Sequence, residues 1–237
     1  MLELIGIEKR YGTRTVLSID RFAFAPGVRT CIIGGNGAGK STLLRILAGT
    51  LSPEKGGQIV RPEGLRVAYM PQKPYPFAKS VLQNVLLGVR EGDRQQRRQK
   101  AEQAIEAVGL QAFTAQRGDR LSGGEMQRMA FARTIADRHD VLILDEPTAS
   151  ADIGASARVE QALLAYAERH GCGVIMSTHS LVQAMRVAQQ VVFMDKGRIV
   201  EMGPPEQVIL HPTNALTRAF VSHVALQIHD PIPPAQP

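Results

Sequence analysis

The stretch GGNGAGKST, residues 34–42, decides the fold of this chain. It follows an apolar run at residues 28–33, which predicts a buried strand, and it precedes a helical pattern at residues 43–48. A strand, a glycine-rich turn and a helix in this order are the setting in which G-x-x-x-x-G-K-[ST] forms a phosphate-binding loop. The flanking elements argue against the alternative, a glycine-rich turn with an isolated lysine. We therefore predict a nucleoside-triphosphate site.

The residue types within this loop suit a triphosphate and its metal ion. Glycine has no Cβ, so successive backbone N–H groups can turn inward around an anion, and the following helix adds its free N–H groups. Lys40 can reach the β- and γ-phosphates, and the Ser41 hydroxyl can hold Mg²⁺. The predicted nucleotide-binding residues of the loop are Gly34, Gly35, Asn36, Gly37, Ala38, Gly39, Lys40, Ser41 and Thr42.

The composition limits the classes of protein to which this chain can belong. With 237 residues, 44% of them apolar, the chain fits one large domain with a sizeable core. The apolar runs are short, which predicts no transmembrane helix, and residues 1–5 lack the basic and apolar blocks of a signal peptide. Cys31 and Cys172 lack the spacing of metal ligands, so we expect reduced core residues in a cytosolic protein.

The net charge of +6 leaves several partners open. It is compatible with nucleic acid, with the anionic face of a membrane, or with bound triphosphate alone. Much of the excess lies at residues 90–100, where basic residues alternate with glutamines and no aromatic residue is present for base stacking. This pattern favours a solvated helix face.

Alternating strands and helices around the phosphate loop predict an α/β fold with a mostly parallel core sheet. Residues 2–8 and 15–24 predict antiparallel strands, and a helical lobe is expected at about 72–137. We assign residues 1–225 to the domain and 226–237 to a proline-rich, disordered tail. Further predicted strands lie at 58–60, 65–70, 141–144, 173–177, 191–194 and 199–202, and further helices at 80–87, 93–108, 121–136, 153–169 and 181–188.

Polar side chains lie at or just past the ends of three of these strands. Asp145 and Glu146 come after the apolar run at 141–144, where one carboxylate can help to hold Mg²⁺ while the other faces an attacking water. His179 follows the strand at 173–177, and its imidazole can donate to a γ-phosphate oxygen. Gln72 follows another strand, where its amide can meet Mg²⁺ or the water.

A second glycine-rich helix entry, LSGGE, lies at residues 121–125. By the same physics it predicts a second anion site. Helix capping by Ser122, with Glu125 three residues later, is the alternative. Two anion sites with a single lysine loop suggest that each nucleotide is held by two chains.

Taken in order, the motifs at 34–42, Gln72, 121–125, 145–148 and His179 resemble those of ABC-transporter ATPase subunits. The resemblance extends over about residues 2–215. It implies a phosphate-loop ATPase with an antiparallel β subdomain and an inserted helical lobe, with ATP and Mg²⁺ as its ligands. Residues 72–81 resemble the lobe of importers of phosphate and tungstate-like oxyanions, with amino-acid importers as the alternative.

The resemblance also implies residue roles. Tyr11 would stack on the adenine, Lys40 would bind the β- and γ-phosphates, and Thr42 would lie near the α-phosphate. The implied Mg²⁺ ligands are Ser41, Gln72 and Asp145, and the implied catalytic residues are Glu146 as general base, His179, Gln72 and Lys40. Residues expected to close on the ATP of the opposite subunit are Ser122, Gly123 and Gly124, with Asp152 in the loop that crosses the dimer interface.

Two departures from the family pattern are visible. Gly35 stands where proline is common, and ASAD at residues 149–152 replaces the usual Ser-Ala-Leu-Asp. Neither removes a catalytic group.

The resemblance predicts the ATP-hydrolysing subunit of a membrane importer. The expected partners are a second copy of the chain, transmembrane permease subunits and, indirectly, an extracytoplasmic solute-binding protein, which places the chain at the cytoplasmic face of the inner membrane. A soluble ABC-type ATPase acting on nucleic acid, or a non-transport membrane regulator, remains open. The positive charge favours a nucleic-acid partner slightly, but the chain lacks the paired cassettes or coiled-coil insert usual in such relatives.

Overall fold

The computed structural model describes residues 1–149 and 152–229, apart from the side chains of Ile153 and of residues 227–229. Its strands are β1 (Leu2–Tyr11), β2 (Arg14–Phe24), β3 (Arg29–Ile33), β4 (Gln58–Val60), β5 (Val67–Met70), β6 (Val141–Asp145), β7 (Gly173–Ser177), β8 (Gln190–Asp195) and β9 (Arg198–Gly203). Its α-helices are α1 (Lys40–Leu47), α2 (Val81–Leu86), α3 (Arg94–Ala107), α4 (Gly123–Ile135), α5 (Ile153–His170), α6 (Leu181–Val187) and α7 (Ala215–His229).

The strands form two sheets. A six-stranded sheet has the order β5-β6-β7-β3-β8-β9, and all its pairs are parallel except β8–β9. A three-stranded antiparallel sheet has the order β2-β1-β4. The predicted α/β class, with its mostly parallel core sheet and antiparallel subdomain, is therefore confirmed.

Strand register brings distant parts of the chain to one edge of the larger sheet. Asp145 at the end of β6 lies opposite Ser177 at the end of β7, and Ile32 of β3 lies opposite the same serine. Met70 at the end of β5 lies opposite Leu144 of β6. Because the strands are parallel, the segments that follow them all leave the sheet at this carboxyl edge, where ligands bind in open α/β sheets.

Two apolar cores lie on opposite faces of this sheet. All five residues of β6 are buried, and alternate side chains belong to different cores. Leu142 and Leu144 join the core beneath helices α2–α6, whereas Val141 and Ile143 join the core shared with α1 and the antiparallel sheet. This alternation follows from the period of two in a strand. Cys31 and Cys172 are buried free thiols, and burial raises the pKa of each to about 12.

The helical lobe contains α2, α3 and α4, and the Asp137 carboxylate after α4 binds α3 and the segment that precedes it. Ser80, Asp93 and Ser122 begin these helices, each with a capping box. The Asp137 carboxylate accepts from Lys100 Nζ at 2.7 Å and from the backbone N–H of Arg90 at 2.7 Å. Burial would raise the pKa of Asp137, but these hydrogen bonds outweigh it and lower the pKa to about 2.

Two elements follow the last predicted strand in sequence: a π-helix at Glu206–Leu210 and α7. The Glu201 carboxylate of β9 fixes the approach to α7, because it accepts from the backbone N–H groups of Thr213 at 2.9 Å and Asn214 at 3.2 Å. The predicted tail boundary at 226 falls inside α7, and residues 230–237 lie outside the described part of the chain. None of the helices described at 1–149 and 152–229 has the length and apolarity needed to cross a membrane.

Candidate active site

The phosphate loop joins β3 to α1 and depends on two glycines. Gly34 has a φ of 152° and Gly39 a φ of 100°, conformations that L-residues with a Cβ rarely adopt. A Cβ on Gly34 would overlap the carbonyl oxygen of Met194, and a Cβ on Gly39 would lie 2.8 Å from that of Val16. Gly35 is different, since a Cβ there would meet no atom within 4 Å. The cradle is thus packed closely against neighbouring backbone at Gly34 and Gly39.

Lys40 is the first residue of α1 and is 7% exposed. Its Nζ donates to the carbonyl oxygens of Gly34 at 2.7 Å and Gly35 at 3.1 Å, so the ammonium group folds back over its own loop. Burial lowers the pKa of Lys40, against the opposing effects of the Glu146 and Asp145 carboxylates. Those two carboxylates therefore act electrostatically on the same cation.

The end of β6 turns sharply at Glu146. Glu146 has a φ of 50°, one of two positive values among the described non-glycine residues. The Ser177 hydroxyl donates to Asp145 Oδ1 at 2.6 Å and accepts from the Glu146 backbone N–H at 3.0 Å. Gln127 of α4 donates to the Glu146 carbonyl oxygen at 2.6 Å. The two peptide groups that flank the strained Glu146 are thus each held by a hydrogen bond.

The turn aims the Glu146 carboxylate at the predicted partners. Gln72 Nε2 donates to Glu146 Oε2 at 3.0 Å, and His179 Nε2 contacts Glu146 Oε1. Glu146 is 8% exposed, whereas the His179 side chain is 48% exposed. The structure therefore brings together three residues that follow different strands, in agreement with the common edge expected from the sequence.

These side chains line one cavity of about 220 Å³ together with the phosphate loop. Its lining includes Lys40, Ser41, Gln72, Glu146 and His179. The backbone cradle, the helix N-terminus and the buried lysine fit a polyphosphate anion. Among residues 1–149 and 152–229, no group of three or more His, Cys, Asp or Glu side chains could hold a metal ion. A Mg²⁺ ion here would accordingly depend on phosphate and water oxygens in addition to protein ligands of other types, such as hydroxyl and amide oxygens.

Comparison with known proteins identifies the family. The family model described as "ABC transporter" matches residues 17–149. The Fe(3+) ions import ATP-binding protein FbpC of Pseudomonas fluorescens is 33% identical over 239 residues, which are 95% of this chain and 67% of the relative. This chain belongs to the ABC transporter family. As a member, it is an ATP-binding subunit and an ATPase.

Two further relatives of this ABC ATPase carry names that also refer to import. The aliphatic sulfonates import ATP-binding protein SsuB 2 of Paracoccus denitrificans is 35% identical over 84% of this chain and 79% of the relative. The phosphate import ATP-binding protein PstB 2 of Natronomonas pharaonis is 34% identical over 93% of this chain and 86% of the relative.

Solved structures match the fold of the ABC ATPase. A structure described as the ATP-binding subunit of an ABC transporter has a TM-score of 0.80 at 20% identity and covers 95% of this chain and 99% of its own. A dimeric bacterial ABC transporter cassette has a TM-score of 0.79 at 22% identity, over 86% of this chain and 99% of its own.

The structure does not bring every predicted site residue into the 220 Å³ cavity: its lining contains residues 36–42, Gln72, Glu146 and His179, but not Gly34, Gly35 or the predicted Mg²⁺ ligand Asp145. Ser122, Gly123 and Gly124 are absent from its lining; instead, Ser122 begins α4, and its hydroxyl donates to Glu125 Oε2 at 2.7 Å. Tyr11 also lies outside this cavity, at the end of β1, and is 51% exposed. Asp152 caps α5 by accepting from the Ala155 N–H at 2.7 Å, while Ser150 and Ala151 lie outside the described residues.

Several residues around the ABC ATPase site were not predicted. Ser177 was assigned only to a strand, and Gln127 only to a helix, yet both contact the Glu146 backbone. A third, Gln183 of α6, binds Thr148 in the loop after β6 and Thr178 in the loop after β7. A strand-terminal serine opposite Asp145 could be found only from the β6–β7 register, which a single sequence does not supply.

Two alanine substitutions in the phosphate loop should differ sharply. Gly39→Ala forces a Cβ into a left-handed turn against the Val16 carbonyl, a strain of about 1–3 kcal/mol, so the Kd for ATP should rise about fivefold or more. Gly35→Ala meets open space and should leave the Kd unchanged. Calorimetric titration of both folded variants with ATP measures this. Equal affinities for the two variants would contradict the packing described for the loop.

Proposed function

We propose that this ABC ATPase hydrolyses ATP with Mg²⁺ between two copies of the chain and thereby powers solute import through a membrane permease. The observation that carries the proposal is the single cavity in which Lys40, Ser41, Gln72, Glu146 and His179 meet. It combines an anion cradle with a carboxylate that is directed by two neighbouring side chains.

Glu146 is the proposed general base. It accepts a proton from water while the water oxygen bonds to the γ-phosphorus and the bond to the departing ADP oxygen breaks, which yields ADP and phosphate. Each carboxylate oxygen has two lone-pair positions, so the contacts with Gln72 and His179 leave room for a water on either oxygen. Gln72 and His179 would thus orient the base without blocking it.

Lys40 and the loop N–H groups bind the β- and γ-phosphates in this proposal, with Thr42 near the α-phosphate. Lys40 would exchange its contacts with the Gly34 and Gly35 carbonyls for phosphate oxygens. The residues that would hold Mg²⁺ are Ser41, Gln72 and Asp145, and the ion would neutralise charge on the phosphates when bound. Asp145 is 2% exposed, and its bond to Ser177 fixes the orientation of its carboxylate.

The second half of each site would come from the partner chain. Ser122 and Gly123 are exposed at the N-terminus of α4. The Ser122 N–H donates to Glu125 Oε2 at 2.8 Å, but the first N–H groups within the helix lack intrahelical acceptors and can bind an anion presented by another chain. Preorganised donors in a water-excluded site contribute about 2.7–4 kcal/mol each to the transition state. A relative of this fold has been described as dimeric, which supports the same arrangement here. Tyr11, exposed at the tip of β1, would stack on the adenine.

The direction of transport rests on the relatives. Proteins named for import of iron, sulfonates and phosphate all match this chain at 33–35% identity. Their cargoes differ in chemistry while their direction agrees, so we propose import and assign no substrate. A solute-binding protein would then be an indirect partner, and the chain would lie at the cytoplasmic face of the inner membrane.

The permease would contact the helical lobe. Tyr75 and Phe77 are 71% and 40% exposed, and their rings lie edge to face with centroids 5.3 Å apart. Leu87, at the end of α2, is 51% exposed. Tyr75 and Phe77 lie within residues 72–81, the segment whose sequence resembles importers, and Leu87 lies in the same lobe, which supports a protein partner at this surface.

Glu146→Gln tests the chemistry. The amide keeps the shape of the side chain but cannot accept the proton, so we expect ATP binding to persist while hydrolysis falls about 100-fold or more. The variant should also accumulate as a stable ATP-bound dimer, measurable by light scattering. Glu168→Gln, the same change at an exposed position of α5, should hydrolyse ATP like the wild type. Wild-type turnover by Glu146→Gln would contradict the assigned role.

Co-purification from cells tests the partner. A polytopic membrane protein should accompany the full chain, and substitution of both Tyr75 and Phe77 by Ser should release it. Binding of DNA or RNA that weakens steeply with salt would instead support an ATPase acting on nucleic acid. A membrane partner that transports no solute would favour the regulatory alternative.

A further inference from the structure

A buried hydrogen-bond network joins the two loops that carry Glu146 and His179. Its centre is Gln183 of α6, which is 3% exposed. Gln183 Nε2 donates to Thr148 Oγ1 at 2.9 Å, and Gln183 Oε1 accepts from Thr178 Oγ1 at 2.6 Å. Thr148 lies two residues after Glu146, and Thr178 directly precedes His179. One amide group therefore spans the distance between the loop after β6 and the loop after β7.

Glu160 of α5 fixes which way this amide points. Its Oε1 accepts from Gln183 Nε2 at 3.0 Å, and Arg186 binds the same carboxylate with Nε and Nη2, each at 2.9 Å. A carboxylate only accepts hydrogen bonds, so the Gln183 NH₂ group must face it, and the amide oxygen must face Thr178.

Donor directions are then consistent through the whole network. With the amide oxygen facing it, Thr178 donates its hydroxyl proton to Gln183, and its lone pair accepts from the Ser180 N–H at 3.1 Å. Ser180 in turn caps α6 by accepting from the Gln183 N–H at 3.1 Å. Every polar atom of the Gln183 side chain has a partner, which is how buried networks stabilise one geometry.

His179 needs such a constraint. Its side chain is 48% exposed, and a cavity of about 380 Å³ opens beside it, lined by Glu146, Thr148, Glu160, Gln183 and Arg186 among others. Packing alone therefore leaves space into which the imidazole could swing away from Glu146. The network holds the chain on either side of His179, at Thr178 and Ser180.

We infer that Gln183 is a positioning residue for ATP hydrolysis, whose amide, oriented by Glu160 and Arg186, sets the separation of Glu146 and His179. The inference rests on the proposed roles of those two residues. It predicts that Gln183 affects the chemical step and leaves nucleotide binding, which occurs at Lys40 and the phosphate loop, unchanged.

Gln183→Glu is the sharpest test because it preserves shape and reverses one hydrogen bond. The NH₂ group facing Glu160 becomes an oxygen, so two carboxylates oppose each other and the loops are displaced. We expect kcat of the full chain to fall about tenfold or more with KM for ATP nearly unchanged, since misplacement by about 1 Å can cost about 100-fold. Gln161→Glu adds the same charge on the exposed face of α5 and should leave kcat unchanged.

The reciprocal substitution distinguishes positioning from general damage. Adding Glu160→Gln to Gln183→Glu restores one amide and one carboxylate between α5 and α6, and kcat should recover most of its loss. The imidazole Hε1–Cε1 resonance of His179, assigned with His179→Gln, should shift in the single variant and return in the double one. Thr148→Val, which removes only the bond to the loop after β6, should lower kcat in a chain that remains fully folded.

Three results separate the possible failures. If folded Gln183→Glu and Thr148→Val both keep wild-type kcat and the His179 resonance is unmoved, Gln183 does not position the site. If Glu146→Gln retains wild-type hydrolysis in the same assay, the proposed role of Glu146 fails independently of Gln183. Loss of kcat that merely tracks the unfolded fraction, without rescue by Glu160→Gln, would make Gln183 a stability residue and overturn the inference.

Discussion

The hydroxyl of Ser177 joins the two strands on which the site depends. It donates to Asp145 and accepts from the Glu146 N–H, so one buried side chain binds both the proposed metal ligand and the proposed base. This is possible because Ser177 and Asp145 are register partners in a parallel pair. The left-handed conformation at Glu146 costs about 1–3 kcal/mol and persists only where its surroundings determine it. Ser177 of β7 and Gln127 of α4 hold the Glu146 backbone in this conformation by hydrogen bonds.

With this turn fixed, the rest of the site follows from the common edge of the sheet. The phosphate loop leaves β3, Gln72 follows β5, Glu146 follows β6 and His179 follows β7, and these strands are neighbours in space. Gln183 then ties the last two loops through Thr148 and Thr178. The chain thus builds a cradle, the proposed base and its supports from segments that are distant in sequence. Ser122 and the start of α4 lie outside this cavity, which is compatible with their proposed role at the nucleotide of another chain.

Much of the site could be predicted from sequence because its chemistry lies at strand ends. The apolar run at 141–144 predicted β6, and the carboxylates after it had to emerge at the carboxyl edge. The phosphate loop was equally recognisable, since Gly34 and Gly39 are required by local backbone geometry. Ser177, Gln127 and Gln183 could not be found in this way, because their partners are set by strand register and by helix packing across the sheet. The π-helix at Glu206–Leu210 and α7 follow a segment without strong periodicity, and a Glu201 carboxylate holds the entry to α7.

The central claim is that each ATP site combines Lys40 of one chain with Ser122 of another, and subunit complementation tests it most directly. Chains carrying Lys40→Ala and chains carrying Ser122→Arg should each hydrolyse ATP poorly alone. A mixed dimer of the two holds one site with both defects and one intact site, so mixing should restore hydrolysis well above either rate. A chain with both substitutions, mixed with Lys40→Ala, contains no intact site in any pairing and should stay inactive. If the first mixture shows only the mean of the separate rates, the site lies within a single chain and the account is wrong.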